Sequence, residues 1–154
     1  DWSGQNTPAL WRQAVREQGI YPGGTAGFVD LRDVVEAVLF VLEQDRNGNR
    51  FILNAANVSW RELLEEIAES IGAKPPTRKL ASWQSALLWP VEALRAKVTG
   101  NRPLITRESH RNVQADFRYD GSAFAEAREK PYRNIFATIT ETGRAFIAAN
   151  SKVG

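Results

Sequence analysis

The sequence contains no cysteine, and this absence excludes disulfide bonds and metal sites built from thiolates. A chain without disulfides is typical of a reducing compartment, so the composition favours a cytoplasmic location. Histidine is almost absent too. The single one, His110, has no Asp or Cys partner at a recognisable spacing. A surface or helix-capping role is therefore favoured for His110, and we expect no metal site.

Long apolar runs and a strong charge of either sign are also missing. No segment has the ~20 consecutive apolar residues of a membrane-spanning helix. The net charge of +2 is too small to indicate nucleic acid or an acidic membrane as a partner. A length of 154 residues with 43% hydrophobic residues predicts one globular domain. The opening residues, Asp1-Trp2-Ser3, include no Met and no targeting signal, and we interpret them as a cut end.

The stretch from residue 23 to 42, GGTAGFVDLRDVVEAVLFVL, organises the rest of the chain. Its glycines predict a turn, and Phe28-Val29 predicts a short apolar strand. Asp30 or Asp33 is then expected to cap a helix over 31–44. The apolar residues of this helix recur at the spacing of one helical face: Leu31, Val34, Val35, Val38, Leu39 and Leu42.

Further short strands and capped helices are predicted on both sides of this stretch. Ser59 and Glu62 fit a capping box, and Gly72 is expected to end the helix that they begin. Strands are predicted at 51–54, 77–80 and 117–119, and helices at 7–19, 81–98, 106–115 and 134–149. The last helix is expected to bury Ile135, Phe136, Ile139, Phe146 and Ile147.

The order of these pieces resembles the C-terminal part of an extended short-chain dehydrogenase/reductase of the NAD-dependent epimerase/dehydratase family, in its dihydroflavonol-reductase-like branch. The resemblance spans most of the chain, although no single motif in it is diagnostic. It rests on GFVDLRDVVEAV (27–38), RFILNAANVSWRELLEEIAESIGAKPP (50–76), PLITRE (103–108), YDGSAFAEA (119–127) and YRNIFATITETGRAFI (132–147).

This resemblance implies an α/β fold that is helix-rich with short parallel strands, and whose N-terminal Rossmann half is missing. Residues 1–149 would form the substrate-binding C-terminal domain, and 150–154 a frayed tail. The intact enzyme would bind NAD or NADP and use a Tyr-x-x-x-Lys pair. None of Tyr21, Tyr119 and Tyr132 has a Lys four residues later, and the chain lacks a glycine-rich G-x-G-x-x-G turn. We therefore expect no catalytic residue and no cofactor binding in this chain alone.

In the resembled family, the first helix follows the loop that closes over the nicotinamide, and its first turn faces the substrate. The resemblance therefore implies that Trp2, Asn6 and Thr7 contact the substrate, together with Phe28 and Arg107. Trp11 is a further candidate, and the alternative for it is a packing role in the core. The chain has Thr25-Ala26-Gly27 where sugar-nucleotide epimerases usually carry an arginine, which favours a smaller carbonyl or alcohol substrate. Arg32 is expected to pair with Glu36 one turn further on, with anion binding as its alternative.

Without the missing half, the strand at 51–54 would expose an unpaired edge, and the helix at 31–44 would expose its apolar face. We therefore predict that the isolated chain associates with itself, possibly as a homodimer. The intact protein is expected to be an oxidoreductase or epimerase acting on a small carbonyl, alcohol or sugar-like substrate. One alternative is a non-catalytic relative that senses cofactor and binds a protein partner through the apolar stretch at 83–94. Another is a free-standing α/β binding module.

Overall fold

The computed structural model describes residues 7–17, 19–43, 50–80 and 115–150, with the backbone alone at Thr7 and Pro8. The described part mixes helices with short strands, which confirms the α/β class. The helices predicted over 81–98 and 106–115, and His110 with them, lie outside the described residues. In chain order the elements are α1 (Thr7–Val15), β1 (Ile20–Tyr21), β2 (Thr25–Phe28), α2 (Leu31–Glu43), β3 (Ala56–Ser59), α3 (Trp60–Ser70), β4 (Arg78–Lys79), α4 (Ser122–Ala127) and α5 (Ile135–Asn150).

The strands of the described part form two separate pairs. β1 and β4 run parallel, with Ile20 opposite Arg78. β2 and β3 run antiparallel, with Thr25 opposite Ser59 and Phe28 opposite Ala56. The expectation of parallel strands is therefore correct for one pair and wrong for the other. The predicted strand at 117–119 is reduced to a bridge between Asp116 and Thr25.

Residues 51–54, predicted as a strand, belong to no strand of the described part, and β3 begins five positions later, at Ala56. The Ala55 N–H donates to the Phe28 carbonyl at 2.8 Å, and the ladder with β2 runs from there to Ser59. Residues 51–54 have the apolar composition of a strand, but no described strand lies beside them to pair with. A strand needs a partner for its main-chain groups as well as the right side chains.

Local signals set both ends of α3 as predicted. The Ser59 hydroxyl accepts from the Glu62 N–H, and the Glu62 carboxylate accepts from the Ser59 N–H at 3.0 Å. This reciprocal capping box satisfies two main-chain donors that the first turn leaves free. Gly72 has a φ of +70°, the left-handed conformation in which glycine carries no steric penalty.

The core lies where α3 packs against both α1 and α5. Its apolar line on α5 runs through Ile135, Ile139 and Phe146, which all lie on one helical face. The expected burial of Phe136 and Ile147 is wrong, since they are 37% and 43% exposed one position further round the helix. The buried members of this core are Trp11, Val58, Leu63, Ile67, Ile135, Ile139 and Phe146.

Gly121 lies directly against the main chain of Asn54. A Cβ at Gly121 would lie within 3.0 Å of the N, C and O atoms of Asn54, and backbone atoms cannot turn aside as a side chain can. We expect Gly121→Ala to lower the free energy of unfolding by about 1–3 kcal/mol, as overpacking does. Urea denaturation followed by circular dichroism measures this change. Gly19→Ala is the matched control, because a Cβ there would meet nothing within 4 Å. Equal effects of the two substitutions would contradict the prediction.

Candidate functional site

The described residues do not bring the predicted substrate contacts together. Trp2, Asn6 and Arg107 lie outside the described residues, and Thr7 opens α1 with only its backbone described. Phe28 ends β2, half-buried, with its ring edge-to-face against Trp60 at a centroid distance of 5.9 Å.

Packing accounts for the two aromatic candidates that the structure does describe. Phe28 packs against the edge of the core cluster. Trp11 is 4% exposed within that cluster, which supports the packing alternative for it.

α2 turns its apolar face outward. The buried positions on this helix are Asp33 and Ala37, at 0% and 5% exposure. The face predicted from the spacing is largely exposed to solvent. We call these five side chains the α2 face: Leu31 (74% exposed), Val35 (52%), Val38 (54%), Leu39 (51%) and Leu42 (73%). Single exposed apolar residues are ordinary, but five at one helical spacing indicate a contact surface.

An apolar groove of about 290 Å³ runs beside the α2 face. Every residue lining it is apolar, and none offers a hydrogen-bond donor or acceptor in its side chain. Binding sites for small polar molecules need a few such groups to orient the ligand. The groove is therefore suited to apolar side chains. Its lining residues are Ala37, Val38, Val41, Leu42, Phe51 and Leu53.

A cluster of ion pairs fixes the opposite side of α2. The Asp33 carboxylate accepts from Arg128 Nη1 at 3.0 Å, from Arg133 Nη1 at 2.8 Å and from the Arg133 main-chain N–H at 2.9 Å. Glu36, one turn on, accepts from the same two arginines and from Lys130. The Arg128 guanidinium lies 4.8 Å from the ring centroids of both Phe124 and Tyr132. This cluster joins α2 to the segment between α4 and α5.

The partner expected for Arg32 is wrong. Arg32 donates to Asp30 through Nε and Nη2, and Nη2 also reaches Glu141 at 2.9 Å. Glu36 is not available to it, because the basic residues of the ion cluster already occupy that carboxylate. Asp30, 3% exposed, also accepts from the Thr138 hydroxyl and from the Arg32 N–H, so it caps α2 as predicted. The interaction is structural and ties α2 to α5.

Acid is expected to weaken both sets of ion pairs that hold α2 in place, those of Asp30 and those of Glu36. The hydrogen bonds from Arg32 hold the pKa of Asp30 well below its usual range. Those from Lys130 and Arg133 lower the pKa of Glu36 to about 2. Both pKa values are depressed in the folded chain, so these groups stabilise the fold above pH ~4 and lose that contribution as the pH falls towards 2. Urea midpoints measured from pH 7 to pH 2 test this expectation. An unchanged midpoint between pH 6 and pH 2.5 would contradict it.

Three chain segments meet at a polar junction that the sequence reasoning did not find. Asn57 donates to the Tyr119 carbonyl at 2.9 Å and accepts from the Tyr119 N–H at 2.8 Å. Asn54 donates to the same carbonyl at 2.7 Å. Gly27 leaves the space, since a Cβ there would lie within 3.0 Å of the Asn54 amide oxygen and of the Tyr119 ring. The sequence feature that could have indicated this junction is the pair of asparagines in NAAN at 54–57.

The remaining polar groups of the described part show no catalytic arrangement. Burial raises the pKa of Tyr132, the opposite of what a tyrosine that gives up its proton requires. Its hydroxyl donates to the Gly121 carbonyl at 3.0 Å. Among the described residues, no group of three or more His, Cys, Asp or Glu side chains is placed to hold a metal ion. A small cleft of about 40 Å³ next to Glu17 and Lys74 has room for only a few waters.

The α2 face and its groove are therefore the best-defined candidate site, and their chemistry is that of an interaction surface. No described helix is long and apolar enough to cross a membrane.

Comparison with known proteins gives one solved structure of the same fold. No protein-family model and no curated protein matches the chain. The solved structure described as "Crystal structure of gox2253" matches with a TM-score of 0.63 at 21% sequence identity. The match covers 86% of this chain and 40% of that one, so this chain spans less than half of its length. At this identity, the similarity establishes the fold alone.

Proposed function

We propose that this chain is the substrate-binding part of an NAD(P)-dependent oxidoreductase or epimerase that acts on a small carbonyl, alcohol or sugar-like substrate. The observation that carries the proposal is the resemblance of residues 27–38 and 50–76 to the extended short-chain dehydrogenase/reductases. In support, those two stretches fold as one α/β unit, in which β2 leads into α2 and β3 leads into α3. The Ala55–Phe28 hydrogen bond and the β2–β3 ladder join the two stretches directly.

In this proposal, the nicotinamide cofactor and the catalytic tyrosine and lysine belong to residues outside these 154. The similarity to a solved chain that is more than twice as long as the matched part is consistent with this division. Hydride transfer would take place in that other part, and this chain would bind and orient the substrate.

Two measurements test the proposal: cofactor binding by the 154-residue chain, and the sequence and activity of the full gene product. We expect the 154-residue chain to leave NADH and NADPH fluorescence unchanged. We expect the full product of the gene to carry a glycine-rich turn and a Tyr-x-x-x-Lys sequence, and to oxidise NADH or NADPH in the presence of small ketones. A full gene product that lacks both motifs, or a 154-residue chain that binds the cofactor by itself, would overturn the proposal.

A second candidate function is a non-catalytic relative of the same fold that binds a protein partner. The exposed α2 face favours it, because this face is apolar and its groove has no polar group to orient a small ligand. One feature of the full gene product distinguishes the two candidate functions. A full gene product with the dinucleotide-binding turn but without the Tyr-x-x-x-Lys pair would support the partner-binding protein over the enzyme.

A further inference from the structure

We propose that α2 opens and closes as a unit of its own on a chain that otherwise stays folded, and that ion pairs hold it closed. The inference goes beyond the proposed function, since it concerns the 154-residue chain without cofactor or substrate. It rests on the way α2 is attached: the core is built from other elements, and much of the contact that α2 makes is polar.

The apolar core does not include α2. Among the described residues, the buried members of the core cluster come from α1, β3, α3 and α5. The partly buried side chains that pack against this cluster also lie outside residues 31–43. Ile67 of α3, at 0% exposure, belongs to the cluster. Opening α2 would therefore leave the core intact.

Apolar contact between α2 and the rest of the described part is limited. Ala37 is the one buried apolar residue of the helix, at 5% exposure, whereas the five side chains of the α2 face are each at least 51% exposed. Phe40 adds an edge-to-face contact with Phe124 at a centroid distance of 5.6 Å. Segments with few buried apolar contacts open at a lower free energy than the core of the same protein.

Charged groups supply much of the remaining attachment. Asp33 and Glu36 pair with the basic residues of the ion cluster, and Arg32 pairs with Glu141 of α5 at 2.9 Å. The Glu36 and Arg32 side chains are 33% and 52% exposed, and ion pairs in contact with water contribute little each. The Asp33–Arg128 pair is buried, but opening α2 would expose both charges to water, which offsets the loss of their attraction.

Hydrogen exchange at pH 7, followed by mass spectrometry in guanidinium concentrations below the unfolding transition, tests the proposal. We expect the amides of α2 to exchange at least about tenfold faster than those of α3 and α5, because α2 opens without global unfolding. We also expect the exchange of α2 to depend less steeply on guanidinium, because its opening exposes less surface than unfolding of the whole chain.

A substitution on α2 shows whether its ion pairs keep it closed. Glu36→Gln keeps the shape of the side chain and removes its charge, so we expect α2 to exchange about two- to tenfold faster. Glu65→Gln is the matched control. The Glu65 side chain is 32% exposed and pairs with Arg61 on α3 at 2.8 Å, and its substitution should leave the exchange of α2 unchanged.

A substitution in the core shows whether α2 opens separately. Ile67→Val shortens a buried side chain and should speed the exchange of α3 and α5 about two- to tenfold. The exchange of α2 should stay unchanged, because its opening leaves the contacts of Ile67 in place. If the whole chain unfolded as one unit, Ile67→Val would speed the exchange of all three helices alike.

Three results would overturn the proposal. The first is equal exchange of α2, α3 and α5 in the wild type. The second is an α2 without measurable protection, since the closed form would then not be the stable one. The third is an α2 that responds to Ile67→Val or Glu65→Gln as strongly as to Glu36→Gln. Circular dichroism confirms that each variant is folded, and Asp30→Asn or Ile139→Val replaces a variant on α2 or in the core that is not.

Discussion

Replacing Asp33 with alanine is expected to lower the free energy of unfolding by about 3–5 kcal/mol. The Asp33 carboxylate is fully buried, and the Arg128 side chain that faces it is 6% exposed. Removing the carboxylate leaves a buried guanidinium with one anionic partner fewer, and it also removes the acceptor of the Arg133 main-chain N–H. Burying a charge or a donor without its partner is costly. Since whole domains are stable by only ~5–15 kcal/mol, much of the fold's stability depends on this carboxylate.

Guanidinium denaturation at one fixed protein concentration measures this effect. Glu36→Ala serves as the graded control. Its carboxylate is 33% exposed and keeps more contact with water, so its loss should cost less. The double variant Asp33→Leu with Arg128→Met should recover part of the loss, because it removes both charges together. A cost below about 1 kcal/mol for Asp33→Ala would show that water or neighbouring groups replace the carboxylate, and the prediction would then be wrong.

Replacing Phe124 with alanine is expected to cost a similar amount, about 3–5 kcal/mol, for a different reason. Phe124 is 0% exposed, and its ring lies 5.6 Å from the ring centroids of both Phe40 and Phe51. It therefore joins α4 to α2 and to the 51–54 segment. The truncation opens a cavity where these pieces meet and also removes the cation–π contact with Arg128 at 4.8 Å.

The matched control is Phe117→Ala, the same truncation at a ring that is 40% exposed, which we expect to cost under about 1 kcal/mol. Both variants are compared by thermal and chemical unfolding under identical conditions. Phe124→Leu should fall between the wild type and Phe124→Ala, because it keeps most of the buried volume. Equal losses at positions 117 and 124 would contradict this account of the core.

Several features of the fold could be predicted because their causes lie within a few residues along the chain. The box formed by Ser59 and Glu62 spans three positions, and the left-handed Gly72 follows the end of the same helix. Asp30 caps α2 through a main-chain N–H two residues away. Such contacts form in the same way in almost any surroundings, so the sequence is enough to place them.

The candidate site could be predicted only in part. The spacing of the aliphatic residues on α2 predicted one apolar face, and that face is present and exposed. The residues expected to contact substrate were drawn from a family resemblance. Of these, only the side chain of Phe28 lies in the described part, where packing against Trp60 accounts for it. The polar junction of Asn54, Asn57 and Tyr119 was missed, because it joins residues more than 60 positions apart.

The sequence by itself determined that α2 and α3 are amphipathic helices and where they begin, because helical period and capping are local properties. Only the tertiary structure decided which side of α2 is buried. Arg128 and Arg133, which pair with Asp33, lie 95 and 100 residues further along the chain, and the sequence near Asp33 does not indicate them. Strand pairing was decided in the same way. A strand forms where another strand pairs with its main chain, and β2 pairs with Ala56–Ser59.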